Sequence, residues 1–285
     1  MLKKIIPIIC LLALLVVHIS ASKPQWRYKG HKKIQIESQE GISTIKSFRE
    51  IKDVLEATTN RSLVVFDVDE TLIIHEDAIL RPSGESIREK VARKAASQGK
   101  EKLEEMELLT SIALKESKEV VLDNTIPKLL KDLQKRHVKT LALTAAPPGP
   151  LGVIENRADW RLGVLKDLGM DFSKSFDSKP IEFDKESLFK EGILFLGKGE
   201  DKGALLASFL EKMECKPDQV IFIDDKVKFL KSVEKAMKEK GIPCQLYQIK
   251  AADSWGSRLN KKVARRQLIH LRDNHVWMSD KEARR

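Results

Sequence analysis

The sequence predicts an α/β fold: a doubly wound parallel sheet with a small helical cap inserted after its first strand. Short apolar runs that are rich in β-branched residues alternate along the chain with amphipathic segments at helical spacing. This alternation is typical of a parallel sheet that is covered by helices on both faces. Two charged segments of helical character follow the first apolar run before the next one begins, which indicates an insertion over one end of that strand.

The N-terminal segment is predicted to be a signal peptide and not part of the fold. Lys3 and Lys4 form a short basic region, residues 5–17 are almost entirely apolar, and Ala21 offers a small residue for cleavage. The apolar run is shorter than the ~20 residues that a transmembrane helix needs. We therefore expect residues 1–21 to be removed after Ala21, and the protein to be secreted or periplasmic.

The predicted core occupies residues 22–77 and 122–255, after an irregular lead-in at 25–47. The run 63–67 is apolar up to its final aspartate, which indicates a strand buried on both faces. Further strands are predicted at 140–143, 220–223 and 245–249, with a short apolar run at 193–196. Apolar residues at helical spacing predict helices at 48–55, 125–135, 156–168, 203–213 and 227–240.

Two further units are distinguished by their charge. The cap is predicted at 78–121, as helices at 83–97 and 100–117. The net charge is +10, and residues 256–285 carry nine Lys and Arg against three acidic residues. This basic tail is expected either to contact an anionic surface or partner, or to be a solvated helix with a frayed end. No aromatic-interleaved basic strand supports specific recognition of nucleic acid.

Cys215 and Cys244 are the cysteines that remain after removal of the signal peptide, and each precedes a predicted strand. They are expected either to pair in an oxidising compartment or to remain as two free thiols, since the geometry decides between the two.

Residues suited to phosphate chemistry stand at the ends of predicted strands or the start of a helix. Because the carboxyl ends of parallel strands face one crevice, we expect these residues to meet there. A carboxylate pair in a dry core is costly unless a cation offsets the repulsion. The structural alternatives are an acidic turn, a turn threonine, a surface lysine and a pair of helix-capping aspartates. The residues are Asp67, Asp69, Thr144, Lys202, Asp224 and Asp225.

The segments DVDET and IFIDD, with Thr144 and Lys202 between them, resemble the four motifs of the haloacid dehalogenase (HAD) superfamily of phosphotransferases. The segments GILFLGKGEDKGALLASFL and QVIFIDDK resemble a family of secreted bacterial HAD-like proteins known as a domain of unknown function. The layout is also similar to that of periplasmic acid phosphatases. The resemblance covers residues 48–249 and implies a Rossmann-like HAD core.

The resemblance implies a role for each of the catalytic candidates. Asp67 is the implied nucleophile that forms an aspartyl-phosphate, and Asp69 the acid that protonates the leaving alkoxide and later deprotonates water. Thr144 and the amide after it are expected to bind the phosphoryl oxygens, and Lys202 to neutralise their charge. Lys198 is a rival for the last role.

The resemblance also implies a bound Mg²⁺ and a phosphorylated small-molecule substrate. The implied metal ligands are Asp67, the backbone carbonyl of Asp69, and Asp224, with Asp225 completing or orienting the site. The acid at position 69 favours phosphate esters over carbon–halogen bonds.

Four flanking residues are secondary candidates. Arg157 and Arg161 are expected to bind a second anionic group of the substrate or to be surface arginines. His75 and Glu76 either line the entrance or belong to a turn. The segment 145–149, Ala-Ala-Pro-Pro-Gly, differs from the more polar turn that commonly follows the second motif, so substrate contacts there stay open.

The favoured hypothesis is an exported, Mg²⁺-dependent phosphomonoesterase that acts through an aspartyl-phosphate. The alternative is a catalytically idle HAD-like scaffold, exported as a binding or host-interaction protein. A third possibility is phosphoryl transfer to an acceptor other than water. The sequence does not indicate the natural substrate or the oligomeric state.

Overall fold

The computed structural model describes residues 38–39 and 41–285 of the chain. The predicted signal peptide, residues 1–21, lies outside the described residues. Within them, no helix is both long and apolar enough to cross a membrane.

The described residues form one large sheet and one small ribbon. The large sheet has nine strands, and the ribbon consists of β4 and β5 paired antiparallel. The strands, numbered along the chain, are β1 Ser38–Gln39, β2 Ile42–Ile45, β3 Ser62–Phe66, β4 Ile73–His75, β5 Glu119–Val121, β6 Lys139–Thr144, β7 Ile181–Glu182, β8 Leu188–Lys190, β9 Ile193–Phe195, β10 Gln219–Asp224 and β11 Cys244–Ile249.

Helices cover both faces of the large sheet and build the cap. A 3-10 turn, Phe48–Ile51, leads into the first helix, which accounts for the apolar spacing at 48–55. The helices are α1 Lys52–Glu56, α2 Glu85–Ser97, α3 Lys100–Glu116, α4 Ile126–Lys135, α5 Arg157–Asp167, α6 Lys202–Lys212, α7 Val227–Glu239, α8 Lys261–Asn274 and α9 Asp280–Ala283.

The strand order confirms the predicted doubly wound α/β fold. The order is β1-β2-β11-β10-β3-β6-β9-β8-β7, and all neighbours from β2 to β9 are parallel. The chain runs from β3 outwards through β6 to β9, then returns to β10 on the other side of β3. The winding therefore reverses between β3 and β10, and a sheet of this kind forms its ligand crevice at such a point.

The buried strands explain why the sheet forms where the sequence predicts it. Every residue of β3 is buried, because α1, α4 and α5 cover one face and α6 and α7 the other. Phe66 contributes to one core with Leu130 of α4, and Val65 to the other with Phe209 of α6. A strand covered on both faces has no polar face to show, so its sequence is continuously apolar.

The edges of the sheet differ from the prediction. Residues 25–47 were expected to be irregular, but β2 pairs with β11 in parallel and buries Ile42 and Ile45. Likewise, the opposite edge is extended by β8, which is antiparallel to β9, and by β7, which is antiparallel to β8. These strands are too short to show a pattern of their own, and the neighbouring strand supplies their hydrogen bonds.

The C-terminal residues belong to the cap layer. Ala264 and Leu271 of α8, together with Trp277, pack against Ile112 and Ala113 of α3. The segment 256–285 is thus folded onto the cap and is not a frayed end.

A buried aspartate fixes this arrangement at the base of the cap. The indole nitrogen of Trp277 donates to Asp77 Oδ2 at 2.7 Å, and the backbone nitrogen of Asp280 donates to Asp77 Oδ1 at 2.6 Å. Asp77 lies just before the cap and 200 residues from Trp277 along the chain. Both of its oxygens are therefore used to join the cap to the C-terminal segment.

Both cysteines are free thiols in the structure, Cys215 buried and Cys244 half-buried. Burial raises the pKa of Cys244 to about 12, so this thiol is unreactive at neutral pH in the folded protein.

Candidate active site

The register of β3 and β10 places two predicted site residues side by side. Phe66 is paired with Ile223, and the backbone nitrogen of Asp67 donates to the carbonyl of Ile223 at 2.9 Å. Asp67 and Asp224 therefore leave the carboxyl edge of the sheet together, with 5% and 0% of their surface exposed. Two buried carboxylates this close need a cation between them.

Lys202, the first residue of α6, supplies that cation. Its Nζ lies 2.5 Å from Asp67 Oδ1 and 2.7 Å from Asp224 Oδ2, and its side chain is fully buried. Asp201 caps the helix by accepting from the Ala204 nitrogen. At Gly203, a Cβ atom would lie 2.1 Å from the Ser232 carbonyl; only glycine permits this close approach of α6 to α7. Lys198, the rival candidate, is exposed.

The buried charges shift one another's protonation. Burial raises the pKa of Asp67 to about 7; Lys202 opposes this shift and Asp224 adds to it. Burial alone lowers the pKa of Lys202, but Asp224 and Asp67 outweigh it and raise that pKa above its usual range. Lys202 is therefore permanently charged, whereas Asp67 is sensitive to any further cation beside it.

A second lysine joins the remaining acidic residues. Lys226 Nζ lies 2.8 Å from Asp225 Oδ2 and 3.0 Å from Glu70 Oε2. Glu70 has a left-handed backbone, with φ of 64°, in the turn after Asp69, a strained conformation of the kind that clusters at functional sites. Burial, followed by the charge of Asp224, raises the pKa of Asp225 well above its usual range.

The carboxylate cluster fits a divalent cation. Ligand oxygens of Asp67, Asp224 and Asp225 lie within 4.8 Å of one another. With Glu70, four carboxylates share the ammonium groups of Lys202 and Lys226. A set of carboxylate oxygens in excess over its cations suits a hard divalent cation.

The side chain of Asp69 lies apart from that cluster and is held by other partners. The Thr144 hydroxyl donates to Asp69 Oδ2 at 3.2 Å and accepts from the Ala146 nitrogen at 3.1 Å. Arg161 Nη2 lies 2.9 Å from Asp69 Oδ1. The structure thus brings together all six predicted site residues, with Asp69 and Thr144 paired beside the carboxylate–lysine cluster.

Arg161 connects the site to the stem of the cap. Its Nη1 donates to both carboxylate oxygens of Glu119 at 2.9 Å, and both side chains are 5% exposed. His75 Nε2 lies 3.4 Å from Glu119, and the Ser117 hydroxyl lies 3.0 Å from His75 Nδ1. The stem strands β4 and β5 therefore reach the predicted proton carrier through one buried arginine.

The other flanking candidates are placed differently. Arg157 is buried, and its Nε donates to the Gly149 carbonyl at 2.8 Å, which fixes the loop after β6. Neither Arg157 nor Arg161 is a surface residue. Glu76 is exposed and pairs with Lys118.

Two residues of the site, Glu119 and Lys226, were not predicted from the sequence. Lys226 directly follows the predicted Asp225, so its position was a usable signal. Nothing in the sequence marks Glu119, because its partner Arg161 is 42 residues away along the chain.

A cavity of 810 Å³ lies over these groups. Its wall includes Asp67, Asp69 and Asp225 at the sheet edge, and residues of α2, α3 and α8 in the cap layer. The cluster is therefore accessible to a ligand that enters beneath the cap.

The buried histidine predicts a pH dependence of stability. Burial, and then the charge of Arg161, lowers the pKa of His75 from 6.5 to about 4. The unfolded chain binds a proton at His75 more readily than the folded protein does. The stability that the neutral His75 contributes is therefore complete above pH 6.5 and is lost as the pH falls through 4. We expect the unaltered protein to lose about 3 kcal/mol more than His75→Gln over this window. Urea denaturation of both proteins measures this difference, and parallel stability curves would contradict it.

The fold and the site together define a doubly wound α/β protein with a buried carboxylate–lysine centre under a helical cap. The family model described as protein of unknown function (DUF2608) matches residues 44–284. The chain belongs to this family.

Two further comparisons were made, with solved structures and with curated proteins. The structure is similar to that of a haloacid dehalogenase-like family hydrolase from Streptococcus pneumoniae, with 15% sequence identity and a TM-score of 0.35. The match covers 70% of this chain and 93% of that one. No curated protein matches the sequence.

Proposed function

We propose that the protein is an exported, Mg²⁺-dependent phosphomonoesterase of the HAD type, which acts through an aspartyl-phosphate. The observation that carries this proposal is the buried ammonium group of Lys202, which joins Asp224 to Asp67, while Asp67 itself lines an accessible cavity. A structural ion pair has no need of a cavity or of a third carboxylate, Asp225, within 4.8 Å of the pair.

The residues that would hold Mg²⁺ are Asp67, Asp224, Asp225 and the backbone carbonyl of Asp69. When bound, Mg²⁺ supplies the positive charge that lets a phosphate dianion approach three carboxylates.

The side chains divide the chemistry between two positions. Among the described residues, Lys202 contacts Oδ1 of Asp67, so Oδ2 is the oxygen proposed to attack phosphorus. The new O–P bond forms as the ester O–P bond breaks, and the leaving alkoxide takes a proton from Asp69. In the second step Asp69 removes a proton from water, whose oxygen attacks phosphorus and releases Asp67.

Binding of the phosphoryl group is assigned to Thr144 and Lys202. Thr144 is buried, and its hydroxyl donates to Asp69 in the ligand-free arrangement. Rotation of this hydroxyl towards a phosphoryl oxygen would free Asp69 for proton transfer. Lys202 would neutralise the charge that spreads over the phosphoryl oxygens.

Export is proposed from the N-terminal sequence alone. The basic pair Lys3 and Lys4, the apolar run 5–17 and the small residue Ala21 form the pattern of a cleavable signal peptide. Sequencing of the N-terminus of the protein recovered from the cell envelope or the medium tests it, and an intact Met1 there contradicts cleavage.

Hydrolysis of an aryl phosphate tests the enzymatic proposal directly. We expect turnover with Mg²⁺, none with a chelator, and a loss of at least about 10³-fold in Asp67→Asn, because the nucleophile is removed without changing the side-chain volume. Asp177→Asn is the matched control, since Asp177 is exposed and is not part of the cavity wall. A folded protein that turns over no phosphate ester in a broad panel would instead support the idle-scaffold alternative.

A further inference from the structure

The cavity extends well beyond the space that a phosphoryl group occupies. Its 810 Å³ lies in the upper part of the range of about 300–1,000 Å³ that is usual for small-molecule sites. From the carboxylate cluster it continues between the cap helices and α8. The chemistry of this distal part indicates what the remainder of the ligand must be.

Helix α2 presents an apolar stripe to the cavity. Ile87, Val91 and Ala95 are spaced four residues apart and all line it. Val91 is 44% exposed, and Ala92 is the buried residue of this helix among those described. An apolar stripe on a helix ordinarily packs against protein. Ile87, at the start of this one, does pack against the cap core, whereas the exposed Val91 lines open volume.

Helix α8 adds further apolar residues to the wall of the same volume. Leu268 and Ile269 line the cavity, and Ile269 is 39% exposed. Val263 and Ala264, on another face of the helix, are buried, and the buried Leu271 lies between that face and the cavity wall. One face of α8 therefore holds the helix in place, and the other is left for a ligand.

Cations stand among these apolar residues. Lys94 of α2 and Lys261 and Arg265 of α8 line the cavity, and within the described part of the chain none of them has a carboxylate partner. Unpaired cations attract an anion, while their aliphatic stems extend apolar surface along the groove. The wall also includes Glu85 and Glu105, the latter paired with Lys102. The unpaired cations therefore favour the approach of an anionic ligand, and the apolar residues favour a long apolar group on it.

We propose that the cavity binds amphiphilic phosphomonoesters, with the phosphoryl group at the carboxylate–lysine cluster and a long apolar group between α2 and α8. The inference rests on the proposed function for the position of the phosphoryl end. The wall also holds polar side chains such as Gln98 and Thr110, but hydroxyl groups of a polyol phosphate that lie against Val91, Met106 or Ile269 would lose their hydrogen bonds to water without replacement.

Binding of n-alkylphosphonates, which carry no ester bond to hydrolyse, tests the ligand class. Each methylene buried in the groove is expected to strengthen binding about two- to fourfold, so the Kd should fall at least about tenfold from butyl- to octylphosphonate. Calorimetry with the purified protein and Mg²⁺, below the concentration at which the ligands form micelles, measures it. Equal Kd values along the series overturn the proposal.

A double variant identifies the surface responsible. In the double variant Val91→Asn, Ile269→Asn, the gain in affinity from butyl- to octylphosphonate should fall below about threefold, because the two exposed apolar contacts are lost. Val276→Asn is the matched control, since Val276 is 48% exposed and is not part of the cavity wall. Thermal unfolding checks that each variant is folded. An unchanged gain in the double variant contradicts the assigned groove.

Hydrolysis separates this inference from the proposed function. Chain-length-dependent binding of phosphonates without hydrolysis of any alkyl phosphate supports the ligand class and refutes the phosphatase. Hydrolysis with equal kcat/KM for butyl and octyl phosphate, or with a higher value for glucose 6-phosphate, refutes the ligand class and retains the phosphatase.

Discussion

Lys202→Met is expected to lower the free energy of unfolding by about 3–5 kcal/mol at pH 7.5 without divalent cations, because it leaves Asp67 and Asp224 buried without their shared cation. Methionine has an unbranched side chain only one heavy atom shorter than that of lysine, so the loss mainly reflects the charge. Phosphatase turnover should disappear as well, since no group remains to neutralise the phosphoryl oxygens. Urea denaturation and the aryl phosphate assay measure the two effects.

The dependence on conditions distinguishes this explanation from a packing defect. Burial raises the pKa of Asp67, so the folded variant takes up protons more readily than the unfolded chain, and its deficit should shrink as the pH is lowered. Mg²⁺ should also restore part of the stability by binding the buried carboxylates of Asp67 and Asp224 that the variant leaves uncompensated. Lys198→Met is the control and should stay within about 0.5 kcal/mol of the unaltered protein. A loss of stability that changes with neither pH nor Mg²⁺ contradicts the electrostatic explanation.

Arg161→Gln is expected to decrease kcat about 10²-fold with a smaller change in KM, because Asp69 loses the partner that positions its carboxylate. The variant should also be destabilised by about 3 kcal/mol, since Glu119 is left buried without its bidentate partner. Steady-state kinetics and denaturation measure the two effects separately.

The conservative variant shows which property of Arg161 matters. Arg161→Lys retains the charge but cannot bridge Glu119 and Asp69 with a planar fork. We therefore expect it to recover more of the stability than of kcat. Equal recovery of both would indicate that charge alone is sufficient, and an unchanged kcat in Arg161→Gln would remove Arg161 from the proposed proton-transfer step.

The central strands could be predicted because every residue along them meets the same requirement, which is burial. In β3 and β10, burial on both faces demands an apolar residue at nearly every position, and this pattern is visible in a single sequence. The edge strands β2 and β8 have no such pattern, because pairing with their neighbours determines them. The packing of helix α8 on the cap could not be predicted, because lysines and arginines occupy its exposed and cavity-facing positions and make the segment resemble a solvated helix.

The candidate site divides in the same way. Asp67 and Asp224 could be predicted to meet, because each ends a buried parallel strand and such strands end at a common edge. Their shared cation, Lys202, could be assigned only through a resemblance, since a lysine at a helix start is common. The contact between Glu119 and Arg161 depends on how the cap stem folds back over α5, which no local pattern records.

The hydrogen bonds from Trp277 and Asp280 to Asp77 impose an order on the formation of the cavity. Residues 78–121 emerge from the ribosome long before residue 277, so the cap can form its helices but cannot close its cavity wall until α8 and the segment after it have been made. A chain that ends before residue 256 would thus contain every strand of the sheet and its carboxylates, but not the residues that complete the cavity wall. The complete pocket is a late product of folding, and it arises only after translation has passed the last of these contacts.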